Sequence, residues 1–146
     1  MVSSLDWIDR LDCQRLAVDF ARHVDHGDVE SVVSLFTDDA VFERRGETLR
    51  GKHEIREAQL RRSKSVVTRH LCTNIAVDMS GDDRATGVVS FILFRHDHAA
   101  ARTDAGKPAP LGVAETVGEY HDEYRRTGDG WRIARRVARA AFRRQA

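Results

Sequence analysis

The chain has only two cysteines, Cys13 and Cys72, in 146 residues. Neither stands in a CxxC or CxxH spacing, so a structural zinc site is not expected, and the thiols are expected to stay reduced. Long apolar runs are missing as well: none approaches the roughly 18 residues that a membrane span needs. The opening "MVSSLDWIDRLD" carries acids where a signal peptide needs a basic and then an apolar region. Charge of one sign is also lacking. Lys plus Arg number 24 and Asp plus Glu 23, a net charge of +1. That balance argues against a dedicated nucleic-acid binder or a basic membrane-surface protein. No segment repeats. These absences predict a cytoplasmic chain without nucleic-acid or membrane partners, organised as one domain over residues 1–146.

What is present is organised by periodicity. At about 100° per residue, Leu5 to His26 reads as one helix. Asp12, Arg15, Asp19, Arg22, His23 and His26 fall in one polar sector. Trp7, Leu11, Ala17, Val18, Ala21 and Val24 fall opposite, widened by Cys13, Leu16 and Phe20. Gly27 suits a helix end and Asp28 the N-cap of the next helix. Val29, Val32, Val33 and Phe36 continue with helical spacing. "FTDD" predicts a turn into a short strand, "AVFERR", followed by a turn and brief strand in "GETLRG". A third helix is expected over about 52–62, anchored by Ile55 and Leu60.

The remainder reads as β. "TRHLCTNIAVDM" and "RATGVVSFILFRH" predict long strands joined at "SGDD". Both prolines fall in "DHAAARTDAGKPAPLG", read as a loop. "VAETVGEYHDEYRR" and "WRIARRVARAAF" form a hairpin through "TGDG". Leu71, Ile75, Val77 and Met79 are expected near one face of the first long strand. Helices first and long antiparallel strands afterwards predict an α+β fold, with three N-terminal helices on the concave face of a strongly curved, mainly antiparallel sheet. Val18, Ala21, Val29, Val32, Val33 and Phe36 are expected to be buried. "VVSFILF" is too apolar to be solvated on both faces, which predicts a homodimer or homotrimer.

One residue breaks the helical pattern. Asp25 projects into the apolar sector, between Val18 and Ala21. A buried carboxylate without compensation costs several kcal/mol, so it must be paired, hydrogen-bonded or protonated. A helix-end residue bonded to nearby backbone is the plainer reading.

The segments "VDHGDVESVVSLFTDDAVFE", "TRHLCTN" and "GEYHDEYRRTGDGWRIARR" together resemble the SnoaL-like family of the nuclear-transport-factor-2-like superfamily. The resemblance covers nearly the whole chain. It implies a cone-shaped fold that hosts enzymes, binding proteins and assembly subunits. Locally the chain is similar to the scytalone dehydratase and hexachlorocyclohexane dehydrochlorinase branch. There a carboxylate at the end of the first helix pairs with a histidine opening a central strand. "HVDHGD" places that carboxylate at Asp25 and "TRHLCTN" places the histidine at His70. "WRIARR" places the arginine of the dehydrochlorinase site at Arg136. The chain departs from that enzyme at Phe20 and Phe42, where it has a lysine and a tryptophan. It departs from scytalone dehydratase in having no tyrosine before Tyr120.

The implied chemistry is proton transfer without cofactor or metal. An Asp fixes one imidazole tautomer and leaves the other nitrogen free to act on a substrate. A cation at Arg136 would stabilise a leaving group or enolate; an ion pair with Glu119 or Asp122 is the alternative. Strict alternation places Asn74 on the His70 face with Cys72, and Arg136 on one face with Ala134, Ala138, Ala140 and Phe142. Phe20 and Phe42, at positions that the resemblance places in the site, are expected pocket residues together with Asn74 and Tyr120; packing on the curved sheet is the alternative for Tyr120. "RHDH" resembles a metal pair, but alternate histidines at a strand end are usually solvated. "RRVARAAFRR" suits phosphate, although a charged sheet edge is the commoner explanation. Two functions compete. One is a cofactor-free lyase or isomerase acting on a small, largely apolar molecule. The other is a non-catalytic ligand-binding or assembly module, like the small subunit of ring-hydroxylating dioxygenases.

Overall fold

The computed structural model describes residues 4–146; residues 1–3, which begin the segment read as lacking a leader, lie outside the described residues. Helix α1 spans Ser4–His26 and α2 Val29–Ser34. Strands β1 (Phe36–Arg44) and β2 (Glu47–Arg50) lead into α3 (Gly51–Leu60). Long strands β3 (Val66–Met79) and β4 (Arg84–Asp97), a short α4 (His98–Ala101), and strands β5 (Thr116–Thr127) and β6 (Gly130–Arg143) follow. The six strands form one curved sheet in the order β2-β1-β6-β5-β4-β3, antiparallel except where β1 runs parallel to β6. The α+β reading is borne out. Among the described residues no helix is long and apolar enough to cross a membrane.

Cys13, Leu16, Ala17, Phe20, Ala21 and Val24 are buried, a spacing of three and four residues that keeps one stripe of α1 against the sheet. The stripe is narrower than expected. Trp7 is 60 %, Leu11 60 % and Val18 47 % exposed, because the sheet reaches only the side of α1 that carries Cys13 and Phe20. The start of the helix is held by polar contacts instead. Asp9 accepts from Trp131 Nε1 at 3.0 Å and from Arg126, and Arg10 donates to the carbonyl of Val77. Val32 and Val33 are buried and Val29 half-buried.

Three other expectations are corrected. Phe36 is buried but opens β1 rather than closing a helix, so "FTDD" lies within a strand. The register of β1 against β6 slips between Phe36 and Val41, and the exposed Asp38 and Asp39 occupy that irregularity. In α3 the buried anchors are Ile55, Ala58 and Gln59, while Leu60, one position further round, is 61 % exposed. The proline-containing loop begins with α4, which Asp97 caps by accepting from the Ala99 and Ala100 N–H groups.

Bulges bend the sheet and decide which side chains face inward. On β3, Thr73 pairs with Ser90 and Ala76 with Val88, so two residues oppose one. Asn74 takes the left-handed conformation there (φ 49°). Before it, Thr68, His70 and Cys72 point inward; after it, Ile75, Val77 and Met79 do. Leu71 is therefore outside, 53 % exposed. On β6 the extra residues are Ala134 and Ala141. Ile133 and Arg136 consequently both face inward, and Phe142 faces outward at 71 % exposure.

The Ala141 bulge brings two backbones together at Gly118. A Cβ added there would lie 2.2 Å from the carbonyl oxygen of Arg139, whereas one at Gly112 meets nothing within 4 Å. We expect Gly118→Ala to lower unfolding free energy by about 2–3 kcal/mol in urea melts and Gly112→Ala to leave it within about 0.5 kcal/mol. Equal midpoints for the two variants would contradict this packing.

Candidate functional site

Asp25 lies in the last turn of α1. Gly27 (φ 71°) ends the helix: its N–H bonds the Val24 carbonyl at 3.1 Å, and the Asp28 N–H bonds that of His23 at 3.0 Å. Asp28 then caps α2 as expected, accepting from the Ser31 N–H at 3.1 Å. This abrupt stop leaves Asp25 against the start of β3, its side chain only 5 % exposed.

Three donors from β3 hold it. Oδ1 accepts from His70 Nδ1 at 2.6 Å and from the Thr68 hydroxyl at 2.8 Å. Oδ2 accepts from the His70 backbone N–H at 2.8 Å. Arg62 braces the set, donating Nη2 to Thr68 Oγ1 at 3.0 Å and Nη1 to the Val24 carbonyl. Burial pushes the Asp25 carboxyl up, but the His70 ring, the His70 N–H and the Thr68 hydroxyl outweigh it and hold the group below the ordinary 3.8. An ionised Asp25 requires His70 Nδ1 to carry a proton. His70 Nε2 has no protein partner among the described residues.

His70 lines a cavity of about 770 Å³ between the helices and the concave face. Its inner wall is aromatic. Phe20 meets Phe42 and Tyr120 edge-on at 5.7 and 5.9 Å, and Phe91 stacks on Tyr120 at 4.4 Å. The His70 ring lies 6.5 Å from that of Phe91. Val24, Leu93 and Ala138 complete an apolar interior. Thus Asp25, His70, Phe20, Phe42 and Tyr120 come together. Burial raises the Tyr120 hydroxyl above its ordinary 10.0, with Arg136 opposing, so it remains a neutral phenol.

Arg136 and Asn74 stand elsewhere. Arg136 is wholly buried behind the aromatic wall and does not line the cavity. Its Nε and Nη2 donate to Asp122 at 2.8 and 2.7 Å, and Tyr124 donates to the same carboxylate at 2.8 Å. The guanidinium lies 4.2 Å from the Tyr120 ring centroid and 4.6 Å from that of Phe20. Burial disfavours its charge, but Asp122 outweighs burial and keeps Arg136 cationic. The ion pair with Asp122 is therefore the arrangement observed. Asn74, expected beside His70, is exposed because the bulge breaks the alternation on which that expectation rested.

Sequence reasoning missed Thr68, Arg62 and Phe91. Thr68 shares the His70 face two residues earlier, a legible signal. Arg62 and Phe91 come from other elements, and nothing local marks them. His96 and His98 both bond the Thr103 hydroxyl at 2.8 Å rather than forming a metal pair. Among the described residues no group of three His, Cys, Asp or Glu side chains is placed to hold a metal ion. Cys13 and Cys72 are both free thiols.

The sequence pattern of the SnoaL-like domain matches residues 6–137. The chain belongs to the SnoaL-like domain family. The uncharacterised protein Rv2910c of Mycobacterium tuberculosis is 28 % identical over 150 residues, covering 97 % of this chain and 92 % of its own length. Two solved structures share the fold. A candidate scytalone dehydratase from Novosphingobium aromaticivorans is 17 % identical with a TM-score of 0.77, over 97 % of this chain and 89 % of that one. A hexachlorocyclohexane dehydrochlorinase (LinA) Type2 is 19 % identical with a TM-score of 0.75, over 96 % and 90 %.

In this SnoaL-like domain the tie between α1 and β3 is charged, so it responds to pH. The Asp25 pKa is depressed in the folded state. Its contribution to stability is present above the unfolded value and lost as pH falls through the folded one. We expect Asp25→Asn to cost about 2 kcal/mol at neutral pH, and the difference from the parent to shrink below about pH 4. Paired denaturant titrations across pH 2–7 measure this (~1 pH step suffices). A difference independent of pH would show that the carboxylate charge is not what joins the two elements.

Proposed function

We propose that this SnoaL-like domain is a cofactor-free lyase or isomerase for a small molecule with a largely apolar body, with Asp25 and His70 as its proton-transfer pair. The supporting observation is the 2.6 Å contact from Asp25 Oδ1 to His70 Nδ1, made at the wall of the aromatic-lined cavity. Asp25 fixes the Nδ1–H tautomer, and Nε2 is the base. In an elimination, Nε2 takes a proton from a carbon next to a carbonyl. The electrons of that C–H bond form the C=C bond as the neighbouring C–O bond breaks. The imidazolium returns its proton to the departing hydroxyl, and water leaves. In an isomerisation the same proton is returned to a different carbon. Asp25 stays ionised throughout and stabilises the imidazolium. Arg62 and Thr68 act through Asp25 as positioning residues. Arg136, paired with Asp122, supports Tyr120 and Phe20 from behind and makes no direct contact with the cavity.

The test is a panel of small aryl ketones and β-hydroxycarbonyl compounds, followed by NMR for α-proton exchange into D₂O and for loss of water. Catalysis by the parent protein should fall by roughly 10²–10⁴-fold in His70→Ala and comparably in Asp25→Asn. Both variants should retain the parent's circular dichroism. Undiminished turnover in His70→Ala would end the role of His70 as the base, and binding without turnover of any probe by the parent protein would leave the binding-module function in its place.

We also propose that the outer sheet face is covered by further copies of this chain in a homodimer or homotrimer. Leu71, Ile92, Val117 and Phe142 stand in register across four strands and form one apolar row on that face. Light scattering at micromolar concentration should give two or three times the monomer mass, and Leu71→Glu with Phe142→Glu should return the chain to a monomer. A monomeric parent would refute the assembly.

A further inference from the structure

The cavity is apolar within and cationic at its mouth. Seven arginines line it against three carboxylates, in a chain whose overall net charge is only +1. The carboxylates are already shared. Glu47 lies 3.7 Å from Arg44 and 2.7 Å from Arg61. Glu115 lies 2.7 Å from Arg45 and 4.0 Å from Arg95. Asp97 is taken up by the Ser65 hydroxyl and the cap of α4. Arg143 and Arg144 line the same rim, and no carboxylate is within ion-pair reach of either among the described residues. Arg143 faces inward only because the Ala141 bulge reverses the last residues of β6. The fold thus turns a guanidinium into the mouth that strict alternation would have sent to solvent.

Two further features point the same way. Gln59, 5 % exposed, also lines the cavity, and its Nε2 has no hydrogen-bond partner among the described residues. A buried donor without an acceptor is costly, and a ligand rich in acceptors would remove that cost. Arg44 and Arg62 are both desolvated, and each has other arginines near it: burial pushes their pKa values down, one acid each (Glu47, Asp25) opposes it, and the neighbouring cations add to the lowering. Crowded like charges with a surplus of donors favour a bound anion.

We propose that the molecule taken into this cavity is an organic oxyanion, a carboxylate or a phosphate ester. Its apolar part rests on Phe20, Phe91 and Tyr120, and its anionic group is held at the mouth by Arg44, Arg143 and Arg144. This deepens the proposed function, since it assumes that the cavity beside His70 is the ligand site. It also fixes the direction of entry: the apolar end goes in first and reaches His70, while the charged group stays at the rim, where guanidinium forks match its oxygens.

The test is isothermal titration calorimetry of the intact protein with 2-naphthoate, 2-naphthyl phosphate and the neutral 2-naphthol. At least one anion should bind about tenfold tighter than 2-naphthol in low salt, and the preference should fade at about 0.5 M salt. The tighter anion identifies the oxyanion type. Arg143→Gln with Arg144→Gln, both exposed and so tolerant of change, should remove most of the preference while leaving 2-naphthol affinity unchanged. Arg44→Gln should weaken the anions in the same way. His70→Ala should keep the preference, which separates this inference from the catalytic one. Equal affinity for the three probes, binding by neither anion, or a preference untouched by the arginine variants or by salt would overturn it.

Discussion

The anchorage of Asp25 is the constraint on which the site depends. A carboxylate in the last turn of a helix faces the negative end of the helix dipole, and burial adds a desolvation penalty. Asp25 meets both and is stable only because β3 delivers three donors to it. The arrangement is reciprocal. The same bonds that satisfy the carboxylate set the distance between α1 and β3, fix the orientation of the His70 ring and leave one imidazole nitrogen unengaged.

The second determinant is the placement of the bulges. Without the Asn74 bulge, β3 could not present His70 to the cavity and Cys72 to the core and then turn Val77 and Met79 to that core as well. Without the Ala134 bulge of β6, Arg136 would lie on the face opposite Ile133, and without the Ala141 bulge Phe142 would enter the mouth in place of Arg143. Each bulge therefore acts twice, curving the sheet into a cone wall and re-aiming the side chains beyond it.

Arg136 shows how a recognised motif can mislead about contact while remaining informative about place. Its guanidinium sits directly behind the aromatic wall, against both Tyr120 and Phe20, and is neutralised by Asp122. Removing one member of such a buried pair would leave the other charge unsolvated, which is the costly change, on the order of 3–5 kcal/mol. The aromatic wall is thus held from behind by a charge and faces a cavity whose own cations stand at the opposite end.

The sequence by itself determined what is local or repetitive. Helical spacing located α1 and its Cys13-to-Val24 stripe, Gly27 and Asp28 marked the boundary between the helices, and alternation with turn residues located the four long strands. The misplaced charge of Asp25 and the His70 motif were legible for the same reason, since each violates its surroundings or recurs in a family pattern. Which apolar residues stay in water was decided only by tertiary structure: Val18 belongs to the apolar sector of α1, but the sheet covers only the side that carries Cys13 and Phe20. The bulges were likewise unreadable, because an extra residue in a strand is defined by its partner strand and not by its own sequence. Asn74 was lost from the cavity, and Arg143 gained, by that one physical rule: a strand's facing reverses wherever its pairing slips by a single residue.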